Sequence, residues 1–313
     1  MNPTRYEPIR PKIVLNPVKA PSMPFDWSIN PYRGCQHGCS FCYARSTHGF
    51  LGESADDAFQ HHIYWKEDAP SVLRSNLKKM SGRLPDYVAI GTATDPYQQL
   101  EGTMRLTRGC LEVLAEFGVA ASITTRSPLV LRDLDLLKRM PGSSVNVSIH
   151  TLDNGIWRTF EPATPAPRQR LDTVRRLNEA GVRAGVFLAP ILPYLTDGTA
   201  AVEAVLEGCS HARAEYVMPS ILRLQTPEVK SWFFSALRQS HPELAEIYGE
   251  LYWRSGKVPE SYKRPLHERI RDQLAAHGLT LPDSDFRLAK GPIRLPEPSA
   301  SDMACEPVQL SLF

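Results

Sequence analysis

Three cysteines, Cys35, Cys39 and Cys42, stand in the run Cys35-Gln-His-Gly-Cys39-Ser-Phe-Cys42. This C-x3-C-x2-C spacing brings three thiolates within reach of one small centre. Structural zinc requires four protein ligands in a closed tetrahedron, so His37, His48 or a remote cysteine would have to complete the set. A four-iron cubane offers four corners, and three cysteines would fill three of them, leaving one iron open to a non-protein ligand. Six cysteines in 313 residues are too few for a disulfide scaffold, and their clustering points to a metal centre in a reducing compartment. Cys110 and Cys209 fall in helical patterns and read as core thiols, and Cys305 lies near the end of the chain.

The centre needs a scaffold, and the apolar patterning supplies one. A short strand is expected at Phe25–Asn30, leading into the cysteine loop Pro31–Arg45. Strand-like runs follow at Tyr87–Thr92, Val119–Thr125, Ser144–Ile149 and Val182–Leu188, with a sixth ending at Tyr216–Pro219. Between them, helical patterns cover Met104–Phe117 (stopped by Gly118), Leu129–Met140, Arg168–Ala180 and Thr199–Gly208. Strands alternating with helices imply βαβ units, right-handed crossovers and a parallel sheet. Pro227–Leu279 is helical in pattern, and its clusters Trp232–Phe234 and Tyr248, Leu251, Tyr252, Trp253 need a surface to bury against. Seven prolines lie in residues 1–31 and five between Leu281 and Pro307, which reads as extended arms at both ends.

The cysteine spacing, with an aromatic residue (Phe41) before the third cysteine, resembles the radical S-adenosylmethionine (SAM) superfamily. In that family the open iron of a [4Fe-4S] cluster chelates SAM, which is reductively cleaved to a 5′-deoxyadenosyl radical. Further stretches are similar to the spore photoproduct lyase subgroup of DNA-repair enzymes: the loop ending CYAR, GTATDPYQQLE (Gly91–Glu101), ITTR (Ile123–Arg126), VSIHT (Val147–Thr151) and APILP (Ala189–Pro193). These are collinear over roughly residues 25–225. The resemblance implies an incomplete parallel (β/α)6 TIM-like barrel with a helical C-terminal extension, its site at the C-terminal ends of the strands. It also implies that Phe41 lies near the adenine, Thr94 contacts the methionine moiety, Arg126 meets the SAM carboxylate, Ser148 bonds the ribose and Ala189 lies against the adenine. In the lyases a cysteine just upstream of the second-strand motif donates hydrogen, and tyrosines flanking the third cluster cysteine relay the radical. Here the segment around Thr92 carries no cysteine and the flanking pair is Phe41 and Tyr43. Tyr43 is the residue there that can serve a relay, the alternative being a packed aromatic beside the centre.

The remaining signals bear on partners. The formal net charge is +2, so no global field draws the chain to nucleic acid or membrane. The basic clusters Arg168, Arg170, Arg175, Arg176, Arg183 and Lys257, Lys263, Arg264, Arg269, Arg271 are interleaved with acids and read as solvated faces. Glu101 and Glu161 stand where a carboxylate could meet SAM or substrate, a solvated loop acid being the commoner case, while His61, His62 and His150 lack a nearby ligand set. The chain finishes Gln309-Leu310-Ser311-Leu312-Phe313, similar to the pentapeptide by which bacterial repair proteins dock on the DNA sliding clamp; the alternative is an apolar end folded back on its own domain. Residues 1–12 lack an apolar leader, and Ala184–Leu195 is too short and proline-broken to span a bilayer, so a cytoplasmic protein is expected. The expected division is an arm at 1–24, the partial barrel at 25–225, a helical extension at 226–280 and a tail at 281–313. The expected function is radical SAM chemistry on a DNA lesion, with SAM and a [4Fe-4S] cluster as cofactors and an electron donor of flavodoxin or ferredoxin type. Two alternatives stay open: the same radical applied to tRNA, a peptide or a small metabolite, and a non-catalytic binding module stabilised by metal.

Overall fold

Val-, Ile- and Ala-rich runs alternate with amphipathic helices, and the physical consequence is a sheet that must be covered on both faces. The computed structural model describes residues 3–19, 23–80 and 82–282. Ten strands occur among them: β1 (Arg5–Ile9), β2 (Asn16–Pro17), β3 (Trp27–Ile29), β4 (Tyr32–Arg33), β5 (His62–Lys66), β6 (Tyr87–Ile90), β7 (Ala120–Thr125), β8 (Ser144–Ser148), β9 (Arg183–Ile191) and β10 (Val217–Ile221). The main sheet has the order β10-β9-β8-β7-β6-β3-β2, parallel throughout except for β2 at its edge. This is an α/β fold with a mostly parallel central sheet, consistent with a partial TIM barrel. All five residues of β8 are buried, as a central strand covered on both faces requires.

The crossover helices bury one face each. Leu106–Glu116 turns Cys110, Leu111, Val113 and Leu114 inward, Pro167–Glu179 turns Val174 and Leu177, and Thr199–His211 turns Val202, Val205, Leu206 and Cys209. Cys110 and Cys209 are thus the core thiols expected of them. The helices after residue 226 pack through an aromatic ladder: Phe160 stacks on Phe233 at 5.7 Å, Phe233 on Tyr248 at 5.5 Å and Tyr248 on Tyr252 at 5.9 Å. Trp253, expected to join this cluster, is instead 80% exposed.

Three expectations are corrected. The stretch Met104–Phe117 is not one helix: Arg105 takes a left-handed φ of 52°, separating a turn at Glu101–Met104 from the helix Leu106–Glu116. The cause is Glu101, a fully buried carboxylate rather than a solvated loop acid. It accepts hydrogen bonds from the Thr107 and Arg108 amides, capping the new helix electrostatically, and pairs with Arg132 at 2.6 Å. Leu129–Met140 forms only a 3-10 turn (Pro128–Asp133) and a short helix (Leu134–Leu137), because buried Asp133 draws Arg108, Arg132 and the Tyr97 hydroxyl into side-chain bonds at the junction. The N-terminal segment is no loose arm: β1 pairs in parallel with β5, from Arg5↔His62 to Ile9↔Lys66, in a second sheet of order β1-β5-β4. Pro8 is tolerated because β1 is an edge strand. No helix among the described residues is long and apolar enough to cross a membrane.

Candidate active site

The cysteine loop begins directly after β4, where the chain turns on two left-handed glycines. Gly34 has φ 74°, and a side-chain carbon there would come within 2.7 Å of the His62 carbonyl; Gly38 has φ 64°, and one there would meet Gln60 at 2.2 Å. Only glycine fits both the conformation and the space. The Gly38 amide donates to the Cys35 carbonyl, the Cys42 amide to Cys39 and the Arg45 amide to Cys42, so the loop coils on itself. Cys35 and Cys39 are buried and Cys42 is half-buried.

Arg45, the last residue of CYAR, pegs this coil from behind. It is fully buried and donates to the carbonyls of Cys39 (3.1 Å), Gly38 (3.0 Å) and Asp56 (2.6 Å), with its guanidinium 4.4 Å from the Trp232 ring centre. Burial pushes the Cys39 and Cys42 thiols up from their ordinary range, and the Arg126 cation opposes this at both sulfurs. That cation favours thiolates, the form a metal centre binds.

The strand ends form the bed of the loop. The Thr94 hydroxyl, expected to face a ligand, donates to the Gly34 carbonyl at 2.6 Å and accepts from Gln98 at 3.1 Å; Gln98 also receives the Gln36 amide at 3.0 Å. Thr94 therefore fastens the loop to the end of β6. Asn30 bonds Thr92 and the Ala93 amide from the end of β3, and the Tyr43 hydroxyl donates to the Thr92 carbonyl. Replacing Thr94 with valine leaves the buried Gly34 carbonyl and Gln98 amide with only their own long contact of 3.4 Å, a cost of about 1–3 kcal/mol. Tm should fall by about 2–5 °C, with iron lost faster on desalting; calorimetry and iron assay check both.

Asp95 is a second hub that sequence patterning did not single out. It accepts from the Thr125 hydroxyl (2.7 Å), the Tyr97 amide (2.9 Å) and the Arg126 amide (2.8 Å), and pairs with the His37 imidazole at 3.2 Å. Burial works against ionising either partner, but their mutual attraction wins, drawing His37 up to about 10 and Asp95 down to about 2. The Asp95-Pro96 turn ending a strand was the available signal.

A third cluster lies at the ends of β7 and β8. Glu161 is fully buried, bonded by Arg126 Nε at 2.7 Å and by the buried Arg170 at 2.5 Å; Arg170 also donates to the Ser148 carbonyl at 2.9 Å. Neither Glu161 nor Arg170 is the solvated charge that composition suggested. Arg126, with its side chain 20% exposed, lies 5.9 Å from the Phe41 ring centre. Phe41 in turn meets His150 edge-on at 5.3 Å. His150 is 1% exposed, yet neither ring nitrogen has a hydrogen-bond partner, Nδ1 lying 3.5 Å from Glu161. Buried polar atoms of this kind are costly unless a ligand satisfies them. Phe41, Arg126, Ser148 and the cysteines thus converge, Ala189 is half-buried near the end of the adjacent strand β9, and Tyr43 is 38% exposed.

These residues fit a [4Fe-4S] cluster with a polar small molecule beside it. Zinc would draw three sulfurs onto one point about 2.3 Å from each, whereas a cubane is capped at separate corners. The thiols share one buried loop and couple electrostatically.

Comparison with known proteins agrees with this geometry. The Radical SAM superfamily profile matches residues 29–204. An uncharacterised protein of Mycobacterium tuberculosis is 36% identical over 306 residues, covering 96% of this chain and 86% of the relative. A Pseudomonas phage M6 protein named radical SAM Nalpha-GlyT isomerase is 22% identical over 269 residues, 80% of this chain and 52% of the relative. Among solved structures, spore photoproduct lyase complexed with dinucleoside spore photoproduct superposes with a TM-score of 0.64 at 17% identity, over 88% of this chain and 81% of the lyase. The loop, the sheet that carries it and the profile spanning more than half its length all lead to one assignment: this chain is an enzyme of the radical SAM superfamily, which works with a [4Fe-4S] cluster and S-adenosylmethionine.

Proposed function

We propose that this enzyme reductively cleaves SAM and applies the resulting radical to a lesion in DNA, in the manner of the photoproduct lyases. The carrying observation is the buried three-cysteine coil, fastened to the strand ends by Thr94, Gln98 and Arg45. Its support for DNA as the target is the fold shared with spore photoproduct lyase. In this reading residues 25–225 form an incomplete (β/α)6 barrel, residues 226–280 a helical extension, and the enzyme works in the cytoplasm with a flavodoxin- or ferredoxin-type donor.

Cys35, Cys39 and Cys42 would hold the cluster, which with SAM supplies a 5′-deoxyadenosyl radical when reduced. Arg126, oriented by its charge-assisted bond to Glu161, would meet the SAM carboxylate. Phe41 and Ala189 would lie by the adenine, Ser148 would bond the ribose, and Thr94, which also holds the loop in place, would contact the methionine moiety. Tyr43, its hydroxyl on the Thr92 carbonyl, would serve the relay that the tyrosines flanking the third cluster cysteine serve in the lyases. Docking on a sliding clamp through Gln309–Phe313 belongs to the same reading; that pentapeptide lies outside the described residues.

The test is anaerobic reconstitution, reduction with dithionite and assay of 5′-deoxyadenosine, then incubation with ultraviolet-irradiated DNA and quantitation of thymine photoproducts by mass spectrometry. Product dependent on Cys35 together with loss of a photoproduct is expected. Cleavage of SAM with every photoproduct untouched overturns the lesion assignment. The missing cysteine near Thr92 favours in that case the second reading, a radical reaction on tRNA, a peptide or a small metabolite.

A further inference from the structure

Trp253 is the most exposed large apolar side chain among the described residues, at 80%, in a segment whose other aromatics are buried. Its turn is not loose. It joins the helix Ala245–Leu251 to the helix Glu260–Ala276 and is braced at three points. Lys230 Nζ donates to the Tyr252 carbonyl at 2.7 Å, the Tyr252 hydroxyl to the Leu222 carbonyl at 3.0 Å, and the Leu224 amide to the Gly256 carbonyl at 2.8 Å. A side-chain carbon on Gly256 would lie 2.6 Å from the Leu224 carbonyl, so the turn is pressed directly onto the chain leaving β10.

That contact places the indole at the C-terminal end of the sheet, the end that carries the cysteine loop. Leaving the adjacent strand β9, Tyr194 is 55% exposed at a left-handed φ of 60°. It is held by a hydrogen bond from Tyr248 to the neighbouring Pro193 carbonyl (2.6 Å) and by its ring 5.7 Å from Tyr262. One open aromatic therefore follows β9, the turn carrying the other is pressed on the chain leaving the neighbouring β10, and β10 lies two strand spacings, roughly 10 Å, from β8. Arg254 and Lys257 flank the indole, both exposed, and neither has an ion-pair partner among the described residues.

Fixed aromatic faces with unpaired cations beside them are what single-stranded nucleic acid requires: bases stack on the rings and phosphates meet the charges, whatever the sequence. We propose that Trp253, with Arg254 and Lys257 flanking it in the chain and Tyr194 at the end of the neighbouring strand β9, is a stacking platform for unpaired DNA bases flanking the reacting nucleotide. This rests on the DNA reading of the active site. Bracing by backbone carbonyls makes the display of an otherwise unfavourably exposed indole a built feature, and the near-neutral chain overall means that binding must be local.

The test uses the full-length, cluster-loaded enzyme and a fluorescein-labelled oligothymidylate single strand, followed by anisotropy across a salt series, with a duplex of equal length in parallel. Trp253→Ala should weaken single-strand binding by about 5- to 100-fold while leaving the slope of log K against log salt unchanged; Trp253→Phe should retain most of the affinity. The double variant Arg254→Gln, Lys257→Gln should flatten that slope by about 1.4, two phosphate contacts' worth. Parent enzyme that binds the strand with Trp253→Ala within about two-fold of it overturns the platform and leaves DNA as target standing. Parent enzyme that cleaves SAM but binds neither strand nor duplex removes the DNA reading and the platform together.

Discussion

Cys39→Ala is expected to abolish 5′-deoxyadenosine formation, with a fall of at least about a thousand-fold, equivalent to roughly 4 kcal/mol. The protein should stay folded. Cys39 sits in a coil whose shape is set by Gly34, Gly38 and Arg45, none of which depends on the thiol: Arg45 grips the Cys39 backbone carbonyl, not its sulfur. Loss of one buried sulfur costs about 1 kcal/mol, against a centre that loses one of its three protein ligands. Iron and sulfide content, near-ultraviolet dichroism and product assay on the same preparation separate the outcomes. A Cys39→Ala enzyme that keeps its iron and its SAM cleavage would falsify the assignment of these cysteines, and a parent protein that takes up zinc without iron would do the same.

The second large effect is at Glu161. One carboxylate answers both Arg126 and Arg170 with no exposure to solvent, and burial, which alone would push its pKa up, is outweighed by Arg170, His150 and Arg126, which hold it well below the ordinary glutamate range. Glu161→Gln keeps the shape and removes the charge, leaving buried cations uncompensated at a cost of about 3–5 kcal/mol. Tm should fall by about 5–8 °C, and SAM affinity should drop because Arg126 loses the group that orients it. The pH dependence has a definite sign. Because the folded carboxylate titrates below the unfolded one, its contribution is fully present above the usual glutamate pKa and drains away as acid approaches the lower folded value. The Tm gap between parent and Glu161→Gln should accordingly be flat near neutrality and close only in acid. A gap that stays constant into acid, or no gap at neutral pH, contradicts the network.

The distinction between what was legible and what was not follows from range. Cys35, Cys39, Cys42 and Phe41 are legible because a cluster loop packs its chemistry into consecutive residues, so spacing alone carries the signal. The parallel strands are legible too, since burial on both faces writes continuous apolar runs such as Val88–Ile90. The bond from Thr94 to the Gly34 carbonyl was not legible: which carbonyl a strand-end hydroxyl meets depends on where residue 34 lies in space.

Residues far apart in sequence were beyond local pattern altogether. Arg170 reads as one more arginine on a helix with acids around it, and only the packing of its helix against β8 buries it on Glu161 and Ser148. The β1–β5 pairing joins segments more than fifty residues apart, through backbone bonds that any sequence can make. Trp253 belongs by composition to an aromatic cluster, yet the brace from Leu224 to Gly256 turns it outward. By itself, then, the sequence determined the kind of centre, the family resemblance and the alternating scaffold, because those are local in the chain. The tertiary structure decided which charges are buried, which hydroxyls hold the loop and which ring faces solvent, because burial and hydrogen bonding are set by neighbours that only folding brings together.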